Sequence, residues 1–372
     1  MNVTPIMAGV VVAALVCGSS AGADVLCRKK NGIIVARSAC KKKEAPLNLA
    51  DFGAAGPPGA PGPAGSPGAD GQLRIYGDGS AGDVVVSADT SWDALGANGN
   101  QQFRDCAVEA GVTLTVASGT VIRCAGRFTN EGTIAVGPGA LGGVGGGGGG
   151  PEVAPGTGVS LRVPGAGRTG PDTFLVDGGN RGIGLPLDRA AVLRDPSPGG
   201  GGGSYLFPAN GGAGGGGLTV LAQDALVNSG TVRADGGDGE SGGGGGGAGG
   251  VVILASPKSV TTSGPISAKG GAGSPAISNR GAGGGGGGGI VRLVAPSITV
   301  DDGTIDVAGG DGGGGGTAAA GDRTGGGGGG ACGGDGGRGG DIVNAPFNTM
   351  NPGSPGAEGY VIQSQSSPTA LF

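Results

Sequence analysis

Apolar residues in the second half of the chain fall in short, recurring blocks. Leu218-Thr-Val-Leu-Ala222, Val251-Val-Ile-Leu-Ala255 and Val291-Arg-Leu-Val-Ala295 align on their final alanine, and each follows a run of glycine. Eight or nine residues after that alanine come a glycine and a second apolar segment: Gly230-Thr-Val-Arg-Ala-Asp, Gly264-Pro-Ile-Ser-Ala-Lys and Gly303-Thr-Ile-Asp-Val-Ala. Gly132-Thr-Ile-Ala-Val is an earlier copy. The turn glycines 230, 264 and 303 stand 34 and 39 residues apart, a spacing that marks stacked repeats. In the second segments Ile134/Val136, Val232/Ala234, Ile266/Ala268 and Ile305/Val307 alternate with polar or small residues, as strands with one buried face do. One repeat cannot bury its apolar face alone, so stacking is the physical reason to repeat. The pattern predicts an all-β body over residues 72–372, a glycine-rich β-solenoid of the parallel β-helix kind. Weaker copies are expected at Val112–Val116, Val159–Val163 and Tyr360–Ile362, the last capping the end.

Composition sharpens this picture. Glycine (98) and proline (24) make up about a third of the 372 residues, aromatic residues are 3%, and histidine is absent. A conventional core would need more Leu, Phe and Trp, and glycine has no side chain with which to act as base, nucleophile or ligand. Low hydrophobicity with high charge, the signature of disorder, is only half met, because Val, Ile, Leu and Ala cluster between the glycine runs. Two readings of those runs stand open. They are loops projecting from the solenoid, or extended left-handed helices packed side by side because no Cβ keeps their backbones apart. In composition the body resembles glycine-rich regions of mycobacterial surface proteins and of phage tail-tip adhesins, which implies polyglycine-II-like segments.

The front of the chain divides differently. Residues 1–23 read as a secretory signal, with an apolar stretch from Ile6 to Val16 and a small-residue cleavage site at Ala21-Gly22-Ala23. That stretch is too short to span a bilayer, and no later segment approaches the length, so no transmembrane segment is expected after signal removal. Residues 24–52 form a small head with a Lys30-Asn31-Gly32 turn between apolar runs, a hairpin signal. Residues 53–71 keep glycine at every third position from Gly53 to Gly71 with five prolines between. That is the collagen Gly-X-Y period. A homotrimer wound through this segment and a stiff single-chain spacer are both open.

After signal removal five cysteines remain. In an exported chain the near pairs Cys27–Cys40 and Cys106–Cys124 are expected disulfides, leaving Cys332 as a free thiol or an intermolecular bridge. The head carries Arg28, Lys29, Lys30, Arg37, Lys41, Lys42 and Lys43 against Asp24 and Glu44, whereas the whole chain has net charge −5. A basic head suits an anionic surface polysaccharide or other extracellular polymer; a solvated lysine-rich face is the plainer reading. Nucleic acid is not expected, since neither aromatics nor a large basic surface accompany the head. The run Cys27, Gly32, Ile33-Ile34, Cys40-Lys41, Glu44, Leu47 followed at once by Gly-X-Y triplets resembles the small Cys-containing head of exported bacterial collagen-like repeat proteins. That resemblance covers residues 24–71 and implies a secreted or surface location, not an activity.

Candidate chemistry is sparse. A Ser-His-Asp device has no histidine, GxGxxG matches arise from composition alone, and no CxxC pair or histidine offers a zinc site. Gly336-Gly337-Arg338-Gly339-Gly340-Asp341-Ile342-Val343 fits a calcium β-roll repeat, with Asp235, Asp238, Asp311 and Asp335 as further oxygen ligands, but the copies are not in tandem. Asp301, Asp302 and Asp306 form a carboxylate cluster of the kind sugar-cleaving β-helices use; Asp301-Asp302-Gly303 is also an ordinary turn. The expectation is a secreted or cell-surface structural or adhesive protein, with no catalysis, no cofactor and no metal. A β-helical polysaccharide-active enzyme and a calcium-stabilised extracellular module are the alternatives.

Overall fold

The computed structural model describes residues 25–47, 75–92, 100–139, 179–194, 199–202, 210–278, 280–317, 333–343 and 349–371. The signal-like stretch, the Gly-X-Y triplets, the apolar copy at 159–163 and Cys332 lie outside the described residues. The chain divides into two compact units, Met1–Pro67 and Gly68–Phe372.

In the first unit β1 (Val25–Arg28) lies between β2 (Ile34–Arg37) and β3 (Ala45–Pro46), antiparallel to both. The expected turn joins β1 to β2. The Lys29 N–H donates to the Ile33 carbonyl, the Gly32 N–H donates to the Lys29 carbonyl, and Gly32 takes φ 83°, where a side chain would be strained. Cys27 is buried and bonded to Cys40, with Cα atoms 5.5 Å apart. So few residues supply little core, and the cross-link offsets that deficit by restricting the unfolded chain.

The second unit is all-β, its strands following one another in triplets. They run β4 (Val84–Val86), β5 (Thr90–Ser91), β6 (Asn100–Phe103); β7 (Cys106–Val108), β8 (Thr113–Val116), β9 (Thr120–Cys124); then β10 (Phe128–Asn130), β11 (Thr133–Val136), β12 (Gly217–Ala222). The series continues with β13 (Leu226–Asn228), β14 (Thr231–Arg233), β15 (Val251–Ala255); β16 (Ser259–Thr262), β17 (Ile266–Ser267), β18 (Ile290–Val294); and β19 (Ser297–Val300), β20 (Ile305–Asp306). A small antiparallel sheet of β21 (Gly316–Thr317), β22 (Ile342–Val343) and β23 (Thr349–Met350) intervenes before β24 (Tyr360–Ser364) completes the sixth triplet. First strands pair only with first strands, second with second and third with third. Three six-stranded sheets result, with every pairing in them parallel. Helix is confined, among the described residues, to fragments such as α1 (Leu187–Ala190).

One core serves all three sheets. Cys106, Phe128, Leu226 and Val260 enter it from the first strands, and Leu114, Ile134, Val232 and Ile266 from the second. Leu218, Val220, Leu254 and Leu293 enter from the third. The second-strand columns pair as the alternation predicts: Leu114 with Ile134, Ile134 with Val232, Val232 with Ile266 and Ile266 with Ile305.

The alanine alignment of the third strands is corrected by one residue. Leu221, not Ala222, pairs with Ala255, and Ala255 pairs with Val294; Ser256 therefore shares the register of Ala222 and Ala295. A one-residue slip reverses which side chains face the core. Alternation could not reveal it here, because β12, β15 and β18 are buried at every position. Their second face packs Val251, Ile253 and Ile290 against Ala190 and Ala248, and Leu221, Ala255 and Val294 against Ile75 and Tyr76. Sheets covered on both faces read as continuous apolar runs.

Tyr76 is fully buried, its hydroxyl has no hydrogen-bond partner among the described residues, and burial pushes its pKa up to about 12. With a folded pKa above the unfolded value near 10, the neutral phenol is favoured by folding. Stability is then untouched below pH 10 and is lost as pH rises between 10 and 12. Tyr76→Phe is expected to abolish that alkaline loss and to be neutral or stabilising at pH 7, since it removes an unpaired polar atom. Urea midpoints measured across the alkaline range check this.

The glycine runs continue from the strands as extended segments bonded to one another. Gly246 and Gly249 donate to Gly284 and Gly287, Gly212 and Gly215 to Gly245 and Ala248, and Gly236 and Gly239 to Lys269 and Ala272. Antiparallel contacts repeat likewise: Gly283, Gly286 and Gly289 donate to Ser274, Gly271 and Ala268. The period is three residues, that of a polyproline-type turn. Side chains are excluded: a Cβ on Gly286 would lie 1.9 Å from the Gly247 carbonyl oxygen, and one on Gly310 1.9 Å from that of Gly271. For these described runs the projecting-loop reading gives way to backbone-on-backbone packing.

Candidate functional site

The first strands end in a buried polar column that the sequence pattern did not announce. Asn130, Asn228 and Thr262 occupy one register position on β10, β13 and β16, each at most 1% exposed. Asn130 Nδ2 donates to Asn228 Oδ1 at 2.7 Å, and Asn228 Nδ2 donates to Thr262 Oγ1 at 2.9 Å and to the Gly264 carbonyl at 3.2 Å. The column ties successive triplets at the turn into the second strand. The signal for it was Asn130-Glu131-Gly132, Asn228-Ser229-Gly230 and Thr262-Ser263-Gly264, a polar residue two places before each turn glycine.

Outside the core, aspartates span neighbouring triplets. Asp105 Oδ1 accepts from the Arg127 N–H at 2.7 Å, Asp89 from the Thr113 N–H at 2.8 Å, and Asp235 and Asp238 from the N–H groups of Lys269 and Ala272 at 2.8 and 2.7 Å. Asp83 forms a two-point pair with the Arg104 guanidinium and accepts the Asp105 N–H at 3.3 Å. These carboxylates satisfy backbone donors that the ladders leave over.

A cleft of about 430 Å³ opens on the outer face of the first-strand sheet, lined among others by Asp83, Asp105, Arg127 and Asp224 and by the register neighbours Val85, Ala107 and Thr129. Hydrogen bonding from Arg104 holds the Asp83 carboxyl below the usual carboxylate range. A general acid needs the opposite shift, so Asp83 suits hydrogen bonding or charge pairing. Because its folded pKa is depressed, its contribution to stability is present above the ordinary carboxylate pKa and lost as pH falls through the lower folded value. Asp83→Asn is expected to flatten the acid limb of the stability–pH curve by removing that modest contribution at neutral pH while leaving stability at acid pH unchanged, as thermal melts from acid to neutral pH would show.

No family model, curated protein or solved structure matches the chain significantly.

The residues singled out from sequence are dispersed. Cys106 and Cys124 are bonded, Cα atoms 6.3 Å apart, and staple the first and third strands of one triplet across the core. Asp306 pairs with Lys269 at 3.5 Å, Asp301 accepts from Thr304 within the turn, and Gly303 takes φ 75°; that trio is turn and surface, away from the cleft residues in the register of the sheets. Asp335 receives the Gly184 N–H at 3.0 Å and pairs with Arg181 at 3.4 Å. Gly336 and Gly339 donate to Gly182 and Gly179, and Gly337 and Gly340 to Gly285 and Ala282, so the calcium-like octet is a bundle segment leading into β22. Among the described residues no group of three or more acidic, cysteine or histidine side chains is placed to hold a metal ion. No described helix is long and apolar enough to cross a membrane, and the two disulfides are compatible with an extracellular location.

Proposed function

We propose that this chain is a secreted or cell-surface structural and adhesive protein that displays a rigid, repetitive body. In this reading residues 1–23 direct export, and the disulfide-clipped head and Gly-X-Y segment 53–71 form a stalk. The body is a β-solenoid whose glycine runs pack as polyglycine-II-like segments. The observation that carries it is the division of labour in the body. Among the described residues the apolar side chains that alternate along the strands stack in one shared core, and the glycine runs pack backbone on backbone, an arrangement suited to shape persistence. Three copies joined through the triplets would bind an extracellular polymer with multivalent gain. The test is the mass in solution of the exported chain together with its accessibility to a membrane-impermeant label on intact cells. A trimer at the cell surface is expected. A monomer would leave the triplets as a spacer, and an intracellular chain would end the display reading.

The outer-face cleft favours a second reading, a polysaccharide-active protein acting there and not at Asp301, Asp302 and Asp306. Polysaccharide turnover lost in both Asp105→Asn and Asp224→Asn variants would establish it over display.

A further inference from the structure

We infer that the tip of the β1–β2 hairpin is a docking surface for anionic phospholipid bilayers. This deepens the display reading by supplying a mode of attachment. Ile33 and Ile34 are 53% and 50% exposed, an adjacent pair of large apolar side chains presented to water directly after the Gly32 turn. Arg28 lies opposite Ile34 in the hairpin register, and Lys29 and Lys30 form the other arm of the turn. Arg28 and Lys30 are exposed, and Lys41, Lys42 and Lys43 add exposed positive charge to the same unit. Glu44, the one carboxylate among the described head residues, is occupied by Arg37 at 3.3 Å and by the Lys41 N–H at 3.1 Å. Among the described residues Arg28, Lys29 and Lys30 have no acidic partner.

An isoleucine pair flanked by three cations at one hairpin end is poorly matched to a soluble polyanion, which would use the charges and leave the alkyl groups in water. A bilayer surface uses both: phosphates meet the cations, and the isoleucines enter the acyl boundary. The depth is limited by the backbone. The turn satisfies the Lys29 and Gly32 N–H groups internally, but Asn31 and the lysine heads require water, so the tip rests in the headgroup layer.

The experiment is co-sedimentation of the exported chain, its first residue identified by mass. The vesicles are phosphatidylcholine alone and phosphatidylcholine mixed with phosphatidylglycerol, with soluble alginate as competitor. Binding to the mixed vesicles only, weakened by salt, is expected. Ile33→Ser with Ile34→Ser should lower the partition coefficient at least about tenfold, and Lys29→Gln with Lys30→Gln about thirtyfold. The Cys27–Cys40 bond, checked by non-reducing peptide mapping, shows that each variant head is intact. No binding to mixed vesicles, or binding undiminished in the isoleucine variant, overturns the inference. Alginate binding that is equally indifferent to the isoleucines overturns it in favour of a polymer. Surface display that persists while vesicle binding fails removes the docking surface and leaves the display reading standing.

Discussion

Gly286→Ala is expected to destabilise the body by about 4 kcal/mol or more, far beyond an ordinary glycine substitution. Gly286 donates to Gly271 at 2.8 Å and accepts from Gly310 at 2.8 Å, while its missing side chain lets the Gly247 carbonyl oxygen come within 1.9 Å of where a Cβ would stand. Real Cβ atoms do not approach closer than 3.0 Å, so one of these segments must retreat by more than its hydrogen bonds tolerate. Each buried backbone group left unpaired costs about 1–3 kcal/mol. Gly314→Ala is the matched control. No described residue lies within 4 Å of its Cβ direction, and the reduced freedom of the unfolded chain should make it neutral or stabilising by up to about 1 kcal/mol. Urea unfolding followed by far-ultraviolet circular dichroism compares the two. Fluorescence of the single Trp92, which packs 5.7 Å from Phe103, reports whether the first triplets unfold with the rest. Equal midpoints for the two variants would mean that the glycine segments are not packed against one another.

Asn228→Leu is expected to cost about 3 kcal/mol. Leucine has nearly the right volume but removes the acceptor for Asn130 and both donations to Thr262 and Gly264. Asn130 is already short of a partner at Oδ1, so the substitution leaves a fully buried amide with only its 3.3 Å bond to the Thr231 carbonyl. Converting the whole column, Asn130→Leu with Asn228→Leu and Thr262→Val, should recover much of the loss, because removing all partners together strands no polar group. A single substitution that costs less than about 0.5 kcal/mol, or a triple variant as unstable as the sum of its parts, would mean that the column contributes no coupling between triplets.

Much of the architecture was legible because two of its three strands announce themselves. The five-residue blocks ending near Ala222, Ala255 and Ala295 are apolar except at Thr219 and Arg292, and the segments after Gly230, Gly264 and Gly303 alternate cleanly. Both disulfides followed from proximity in the chain. The first strand of each triplet was illegible. Leu226-Val-Asn228 is three residues long and turns an asparagine inward, which a hydrophobic pattern scores as the end of a strand. The cleft was also hidden, because Asp83, Asp105, Arg127 and Asp224 come from four different triplets and only the ladder registers bring them together.

By itself the sequence determined that this chain would be built from repeated strands, which faces of the second strands would be apolar, and that its glycine runs would carry no side-chain chemistry. Those are properties of local composition and of a two-residue alternation. Only the tertiary structure decided the register of the doubly buried strands, the pairing of Asn130 with Asn228 across 98 residues and the packing of one glycine segment against another. Where both faces are buried, or where no side chain exists at all, shifting a strand or segment changes nothing that a pattern can read. The choice is then made by backbone hydrogen bonds and close approach between segments distant in the chain.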